Sequence, residues 1–439
     1  MNVPVTHRSH AERRADTTAV DATRWPDVAS PPPSSRARTA VSQAVVRGAL
    51  DRLPMHVRLA DGSQLGRGGP LLRIHDPEAF YRRIGVNGLV GFGESYMAGE
   101  WDAPDLVAAL TVFADHAAEL IPRSLQRLRG LWAPRQPASQ RNTPVGARDN
   151  ISRHYDLSND LFALFLDGSL SYSSAVFRGF PATWRHLETA QHAKIDRLLD
   201  LADVTSGTDL LEIGTGWGEL AIRAAGRGAR VTTLTLSAEQ RDMARERIRA
   251  AGVADRVSVE LCDYREARGT YDAVVSVEMI EAVGEEFWPA YFRTLDERLA
   301  PGGRAALQAI TMPHDRMLAS RGTFTWIHKY IFPGGQLPSV EAIEDTVRDR
   351  TGLRTARRDG FGAHYAETLR LWRERFTERA DEVERLGFDD TFRRMWTFYL
   401  AYSEAGFRSG YLDVQQYLLT KDGPREGSAT VPRPGGAAR

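Results

Sequence analysis

From Asp209 onward the chain repeats one pattern: a short apolar run, a turn, then a longer stretch with apolar residues at helical spacing. Asp209-Leu210-Leu211-Glu212-Ile213 is short and almost continuously apolar, as a strand covered on both faces must be. A helix follows from Glu219 to Ala225, then a strand from Val231 to Leu236 and a helix from Ala238 to Ala251. Val257 to Leu261 and Ala273 to Val277 read as further strands, and Phe287 to Leu299 as a helix. After the Pro301-Gly302-Gly303 turn, Arg304 to Ile310 is another strand. Strands that alternate with helices become neighbours in a parallel sheet through right-handed crossovers. The expected fold class is α/β, with a Rossmann-like sheet.

Composition narrows the class of function. Basic and acidic residues number 57 each, so no net charge draws the chain to nucleic acid, and no nucleic-acid partner is expected. Among the basic residues only Lys194, Lys329 and Lys421 are lysines. A single cysteine, Cys262, excludes an internal disulfide framework and a cysteine-rich metal site, and no metal is expected. No apolar run approaches the roughly 20 residues of a membrane-spanning helix, and the N-terminus lacks the charged-then-apolar pattern of a signal peptide. A cytoplasmic location is the expectation.

The chain divides by texture. Residues 1–40, with Pro31-Pro32-Pro33-Ser34-Ser35, read as a disordered lead, and residues 422–439 as a disordered tail. Residues 41–131 read as a small α+β accessory domain. In it Val57-Arg58-Leu59 alternates as a strand, Asp61-Gly62 turns, and Leu71-Leu72-Arg73-Ile74 is a pairing partner. Helices are expected from Pro77 to Ile84 and from Leu106 to Leu120. Residues 132–149 form a basic linker, and 150–421 a second, larger domain. From Arg123 to Arg148 the chain carries six arginines and no acid, interleaved with Leu125, Leu128, Leu131 and Trp132. That stretch is either a solvated helix face with its linker or a surface for anionic lipid.

The first strand of the larger domain runs into Gly214-Thr215-Gly216-Trp217-Gly218. Glycines at a strand-to-helix turn let the backbone approach a ligand, and the helix N-terminus offers free N–H groups. The third glycine comes one residue earlier than in the dinucleotide fingerprint. With Glu212 just before it, the spacing resembles the S-adenosylmethionine site of class I methyltransferases. In that likeness Glu212 takes the ammonium group, its alternative being a strand-end carboxylate that caps the loop. Asp263 takes the adenine amino group beside Tyr264, its alternative being a helix cap. The second strand lacks the usual terminal acid for the ribose. It continues instead into Thr235-Leu236-Ser237-Ala238-Glu239-Gln240, from which Gln240 or Glu239 can do that work.

That last segment resembles one found in the cyclopropane fatty acyl phospholipid synthases and mycolic acid cyclopropane synthases. Other segments match in order: His154-Tyr155-Asp156-Leu157-Ser158-Asn159-Asp160, Tyr172-Ser173, Ser276-Val277 to Val283-Gly284, Lys329 to Gly335, and Leu337-Pro338-Ser339. Phe398-Tyr399-Leu400 and Phe407-Arg408 also match. The resemblance implies a class I methyltransferase sheet with helical insertions that build a lipid pocket. It implies S-adenosylmethionine held by Glu212, Gly214, Gly216, Trp217, Gly218, Thr235, Ser237, Gln240, Asp263 and Tyr264. Tyr172 and Ser173 would close over it.

By the same resemblance, a methyl group is added to a cis double bond of an unsaturated phospholipid acyl chain. The cation left behind needs a dry pocket, aromatic faces and a base. Tyr172, Phe177, Trp326, Tyr330, Phe332, Tyr365 and Trp396 are the aromatic candidates, each of which can equally be core. In the family a bound bicarbonate is the base. Carried over, its cradle falls on Ser174, Glu281, Gln308, Ile310 and Tyr365, the expected catalytic residues. Ser174 stands where the family usually has cysteine, and Gln308 where it usually has histidine. Immediate proton loss gives a cyclopropane; a hydride shift first gives a 10-methylene chain, which a reductase partner converts to a methyl branch. The implied enzyme works at the inner membrane surface as a peripheral protein, with self-association left open. The rival readings are a nicotinamide oxidoreductase, a methyltransferase of another small molecule or RNA, and an inactive lipid-binding homologue.

Overall fold

The computed structural model describes residues 20–117, 137, 142–143 and 158–423. The chain separates into two compact units, one of residues 1–105 with 387–398 and one of residues 106–386 with 399–439.

The larger unit is built on a seven-stranded sheet. Its strands are β5 (Asp209–Ile213), β6 (Arg230–Thr235), β7 (Val257–Leu261), β8 (Tyr271–Val277), β9 (Leu299–Thr311), β10 (Leu353–Gly360) and β11 (Asp413–Lys421). The smaller unit holds β1 to β4, described below. The spatial order is β10-β11-β9-β8-β5-β6-β7. The five strands read from the sequence pair in parallel: β7 with β6, β6 with β5, β5 with β8, and β8 with β9. β11 is antiparallel to both β9 and β10. Leu210, Leu211 and Ile213 are buried. On one face they meet helices Trp184–Leu201 and Glu219–Gly226, and on the other helix Trp288–Arg298. This three-layer sandwich is the α/β class expected.

The connections decide where a ligand can sit. From β5 the chain winds outward through β6 to β7, then returns to β8 on the other side of β5 and continues to β9. The carboxyl ends of β5 and β8 therefore open a crevice at the switch point, where doubly wound sheets bind their ligands. One sequence expectation needs adjustment here, and two strands were not foreseen. The Pro301-Gly302-Gly303 turn lies within β9, which starts at Leu299, and the register with β8 shifts there to absorb it. β10 is mostly polar while β11 buries Val414, Tyr417 and Leu419, and their pairing across the chain has no local signature.

The smaller unit has a four-stranded sheet in the order β2-β1-β3-β4. β1 (His56–Leu59) pairs in parallel with β3 (Leu71–Ile74), and antiparallel with β2 (Gln64–Leu65) around the Asp61-Gly62 turn. β4 is Trp101–Asp102. Helix Pro77–Asn87 starts as expected, with proline at its first turn and the Asp76 carboxylate accepting from Ala79 N.

The lead expected to be disordered to residue 40 is ordered from residue 20. Pro26–Ala29 form a helical turn, and a helix runs Arg36–Leu50 from a Ser35 cap. The cause is tertiary. Arg83, 1% exposed, donates to the carbonyls of Asp27 and Val28 at 2.6 Å each and to Glu100 at 2.7 Å. The expected boundary at 131 also shifts. Helix Leu106–Asp115 belongs with the larger unit, and Gly387–Phe398 with the smaller. Most of the basic connector, and residues 424–439 of the tail, lie outside the described residues.

Candidate active site

The glycine loop follows β5 directly. Gly214, Gly216 and Gly218 all have positive φ, at 100°, 51° and 90°. At Gly214 a Cβ would come within 2.7 Å of the Met279 side chain. At Gly218, which caps helix Glu219–Gly226, it would press on Ala244 of the neighbouring helix at 3.2 Å. The first glycine thus makes room for Met279, the second faces open space with nothing within 4 Å of where a Cβ would lie, and the third lets two helices close up. Trp217 is fixed by its indole N–H, which donates to Asn159 Oδ1 at 2.8 Å, tying the loop to the matched segment before it.

A cavity lies over this loop. Its wall is formed by Tyr172, Ser173, Glu212, Gly214, Gly216 and Trp217, and on the far side by Thr235, Gln240, Cys262 and Tyr264. Glu212 is buried, and its Oε2 meets no hydrogen-bond partner among the described residues. Burial pushes its carboxyl up to about 8, against the pull of Thr233 and Lys194. A ligand ammonium would satisfy that oxygen and restore its charge.

Gln240, one of the two candidates for the missing acid's work, lines the cavity. The Ser237 hydroxyl caps its helix by accepting Gln240 N at 3.1 Å, and Thr235 Oγ1 donates to Gln240 Oε1 at 3.0 Å. Thr235 and Gln240 face the cavity, whereas Ser237 and Gly218 support it from behind. Asp263 is not among the residues that line the cavity. Both its oxygens accept from Arg265, at 2.6 to 2.9 Å, and it caps the turn Tyr264–Glu266. The capping contact read as its alternative is present. Tyr264 does reach the cavity, and burial raises its hydroxyl to about 12. Cys262 also lines the cavity.

Two cavity residues escaped the sequence reading. Lys194, 2% exposed, donates to Ser173 Oγ at 2.5 Å. Burial lowers it to about 8, although Glu278, Asp167 and Glu212 pull it back up. One of three lysines in so arginine-rich a chain was a signal available beforehand. The other is Glu278, at the carboxyl end of β8. Its Oε1 accepts from Ser174 N at 2.9 Å and from Gln308 Nε2 at 2.7 Å. Its Oε2 accepts from the Tyr365 hydroxyl at 2.7 Å. Burial raises its carboxyl, and these three donors and Lys194 oppose the rise. Tyr365 is held well above the ordinary phenol value by burial and the facing carboxylate.

The expected base cluster is therefore assembled, around a different centre. Ser174, Gln308 and Tyr365 converge on Glu278, while Ile310 N donates to Glu281 Oε1. Burial and the neighbouring Glu278 push Glu281 up to about 8. Glu278 and Met279 form part of the cavity wall.

Aromatic rings back this cluster. The Tyr172 and Tyr399 hydroxyls share a hydrogen bond at 2.7 Å, and the Tyr172 ring lies 5.3 Å from Trp372. Phe332 packs edge-on to Tyr399, and Tyr365 meets Phe407 at 4.6 Å. Phe177 packs with Phe180 and His364, and Trp326 with Tyr330. Trp396 belongs to the smaller unit, stacked on Phe392. Among the described residues no group of histidine, cysteine or acid side chains is placed to hold a metal.

Comparison with known proteins agrees with this geometry. The family model described as mycolic acid cyclopropane synthetase matches residues 143–417. The chain belongs to that family. It is thus an S-adenosylmethionine-dependent methyltransferase. Tuberculostearic acid methyltransferase UfaA1 of Mycobacterium tuberculosis is 54% identical over 415 residues, covering 92% of this chain and 97% of that protein. Cyclopropane-fatty-acyl-phospholipid synthase of Escherichia coli is 32% identical over 355 residues, covering 80% and 87%. Among solved structures, mycolic acid cyclopropane synthase CmaA1 complexed with SAH and CTAB matches with a TM-score of 0.58 at 30% identity. That match covers 65% of this chain and 99% of the other.

Proposed function

We propose that this methyltransferase adds a one-carbon unit at the cis double bond of an unsaturated phospholipid acyl chain, and that the product is a 10-methylene chain. One observation carries the reading: a buried carboxylate gathered by three donors stands in the same cavity wall as the glycine loop. Methylation of oxygen or nitrogen needs no such group against a ring-lined wall. An alkene does, because its methylation leaves a carbocation that must lose a proton away from water.

S-adenosylmethionine fits the crevice on two grounds, the orphaned Glu212 oxygen and the open space beside Gly216 in the cavity wall, which a side chain there would fill. When bound it supplies an electrophilic methyl group on a positively charged sulfur. Glu212 holds its ammonium, the loop glycines its backbone side, Gln240 the ribose and Tyr264 the adenine edge. Tyr172 and Ser173 cover it, with Lys194 fixing Ser173. The alkene is a weak nucleophile, so the rate comes from in-line placement and dryness. The rings of Tyr172, Trp372 and Tyr365 give the cation negative faces without admitting water.

The relative named for tuberculostearic acid, matched over nearly its whole length, supports the methylene outcome and a reductase that takes the product onward. The acyl chain comes from a bilayer. No helix among the described residues is long and apolar enough to cross one, so reversible docking at the surface is the matching mode.

The test is product analysis after incubation with S-adenosylmethionine and dioleoyl phospholipid vesicles. An acyl chain heavier by one CH2 and still reducible by hydrogenation is expected. A saturated ring product overturns the methylene assignment, and no methylated lipid overturns the substrate.

A further inference from the structure

Every donor that the resemblance set aside for a bicarbonate is already in use. Ser174 N, Gln308 Nε2 and the Tyr365 hydroxyl all end on the Glu278 carboxylate, and Ile310 N ends on Glu281. A carboxylate presents the same planar pair of oxygens that bicarbonate would. A dissolved anion therefore has no free cradle here, and the residues present do not fit it.

The surroundings fix this carboxylate in place. Gln308 Oε1 accepts from Gln416 Nε2 at 3.0 Å, which turns the amide nitrogen toward Glu278. Glu278 N donates to Gln308 O at 2.8 Å, so the two residues clasp through backbone and side chain. Glu278 itself has φ 52°, a left-handed conformation that side chains other than glycine rarely adopt. Such strain persists where the surroundings over-determine a residue, and here it aims the side chain at the cavity it lines. Gln308 brings no positive charge; Lys194, in the same wall, supplies the balancing cation.

We propose that Glu278 is a catalytic residue: its carboxylate is the base that takes the proton from the methylated acyl cation, and the enzyme needs no dissolved bicarbonate. The proposal rests on the acyl-chain reading above. The balance is simple. The sulfur–methyl bond breaks and a carbon–carbon bond forms, releasing neutral S-adenosylhomocysteine and leaving one positive charge on the chain. After the hydride shift, a C–H bond of the added methyl breaks. Its electron pair becomes the double bond, and its proton passes to a Glu278 oxygen and then to solvent. Oε2 accepts only one hydrogen bond from the described residues, so a lone pair faces the work.

The experiment measures S-adenosylhomocysteine and methylated lipid from dioleoyl phospholipid vesicles, in buffer stripped of carbon dioxide and in the same buffer with added bicarbonate. Wild-type rates are expected to be equal in the two. Glu278→Gln should fall at least about a hundredfold, the scale of losing a positioned base. Glu278→Gly relaxes the backbone and frees the three donors. It should fall equally and recover about tenfold or more with bicarbonate. Cofactor binding by calorimetry within about threefold of wild type shows that both variants are folded. A wild-type rate that collapses without bicarbonate and returns with it overturns the proposal, as does a Glu278→Gln variant with near-normal turnover. In both cases methylated lipid still forms, so the substrate reading stands. A wild type that makes no methylated lipid removes both.

Discussion

Glu212 shows what burial does to a functional acid. In the ligand-free protein its carboxyl is raised from 4.5 to about 8, chiefly by desolvation. A raised acid binds its proton more tightly folded than unfolded. Its stabilising contribution is full below 4.5 and is lost as pH rises to about 8. Glu281 follows the same course. Lys194, lowered by burial to about 8, keeps its ionisation penalty throughout that window and sheds it only above. Glu212→Gln should therefore unfold at nearly the wild-type temperature near pH 5 and at a higher temperature by pH 8. Differential scanning fluorimetry without cofactor checks this; a gap that stays constant or narrows with pH contradicts it. Saturating S-adenosylmethionine should stabilise the wild type more than the variant. The glycines, Glu212, Gln240 and Tyr365 were legible because a loop's need for space and a matched segment are both local. Glu278 was not: the sequence shows two glutamates three apart after a strand, and only the fold shows which of them collects Ser174, Gln308 and Tyr365.

At the scale of elements, legibility followed burial. β5 and β8 are apolar and buried along most of their length, and β6 and the edge strand β7 alternate apolar with polar residues, so the bounds of all four are close to those the pattern gives. β10 and β11 are held by pairing between segments more than fifty residues apart, which leaves no periodic mark. The ordered lead is the clearest case. Its proline-rich composition argues for disorder, and what overrides it is Arg83, whose guanidinium ties the turn Pro26–Ala29 down. Glu100, raised to about 7 by burial and pulled down by Arg83, is the partner that would be left alone. Arg83→Ala should destabilise the smaller unit by about 3–5 kcal/mol, the scale for stranding a buried charge. Brief trypsin digestion followed by mass spectrometry should then show faster cutting after Arg24 and Arg36 than in wild type. Unchanged cleavage at those sites would mean the lead is held by other contacts.

For the whole molecule, the proposed phospholipid substrate requires that a chain whose charges sum to zero be supplied from a bilayer. Global attraction to an anionic surface is therefore absent, and any attraction has to be local. The sequence concentrates it in one place: six arginines and no acid between Arg123 and Arg148, interleaved with leucines and Trp132. Each basic residue near an anionic leaflet contributes about 1 kcal/mol, which fades within a Debye length. Changing Arg123, Arg127 and Arg129 to glutamine should thus weaken partition onto phosphatidylglycerol-containing vesicles by about two orders of magnitude. Turnover on those vesicles at limiting lipid should fall with it. Calorimetric affinity for S-adenosylmethionine should not change, because the cofactor cavity is walled by residues from Leu170 to Met279. Raising salt should erase the difference between wild type and variant by lowering the wild type to the variant's level. If the triple variant sediments with vesicles as the wild type does, these arginines do not dock the chain, and the lipid must enter at another surface.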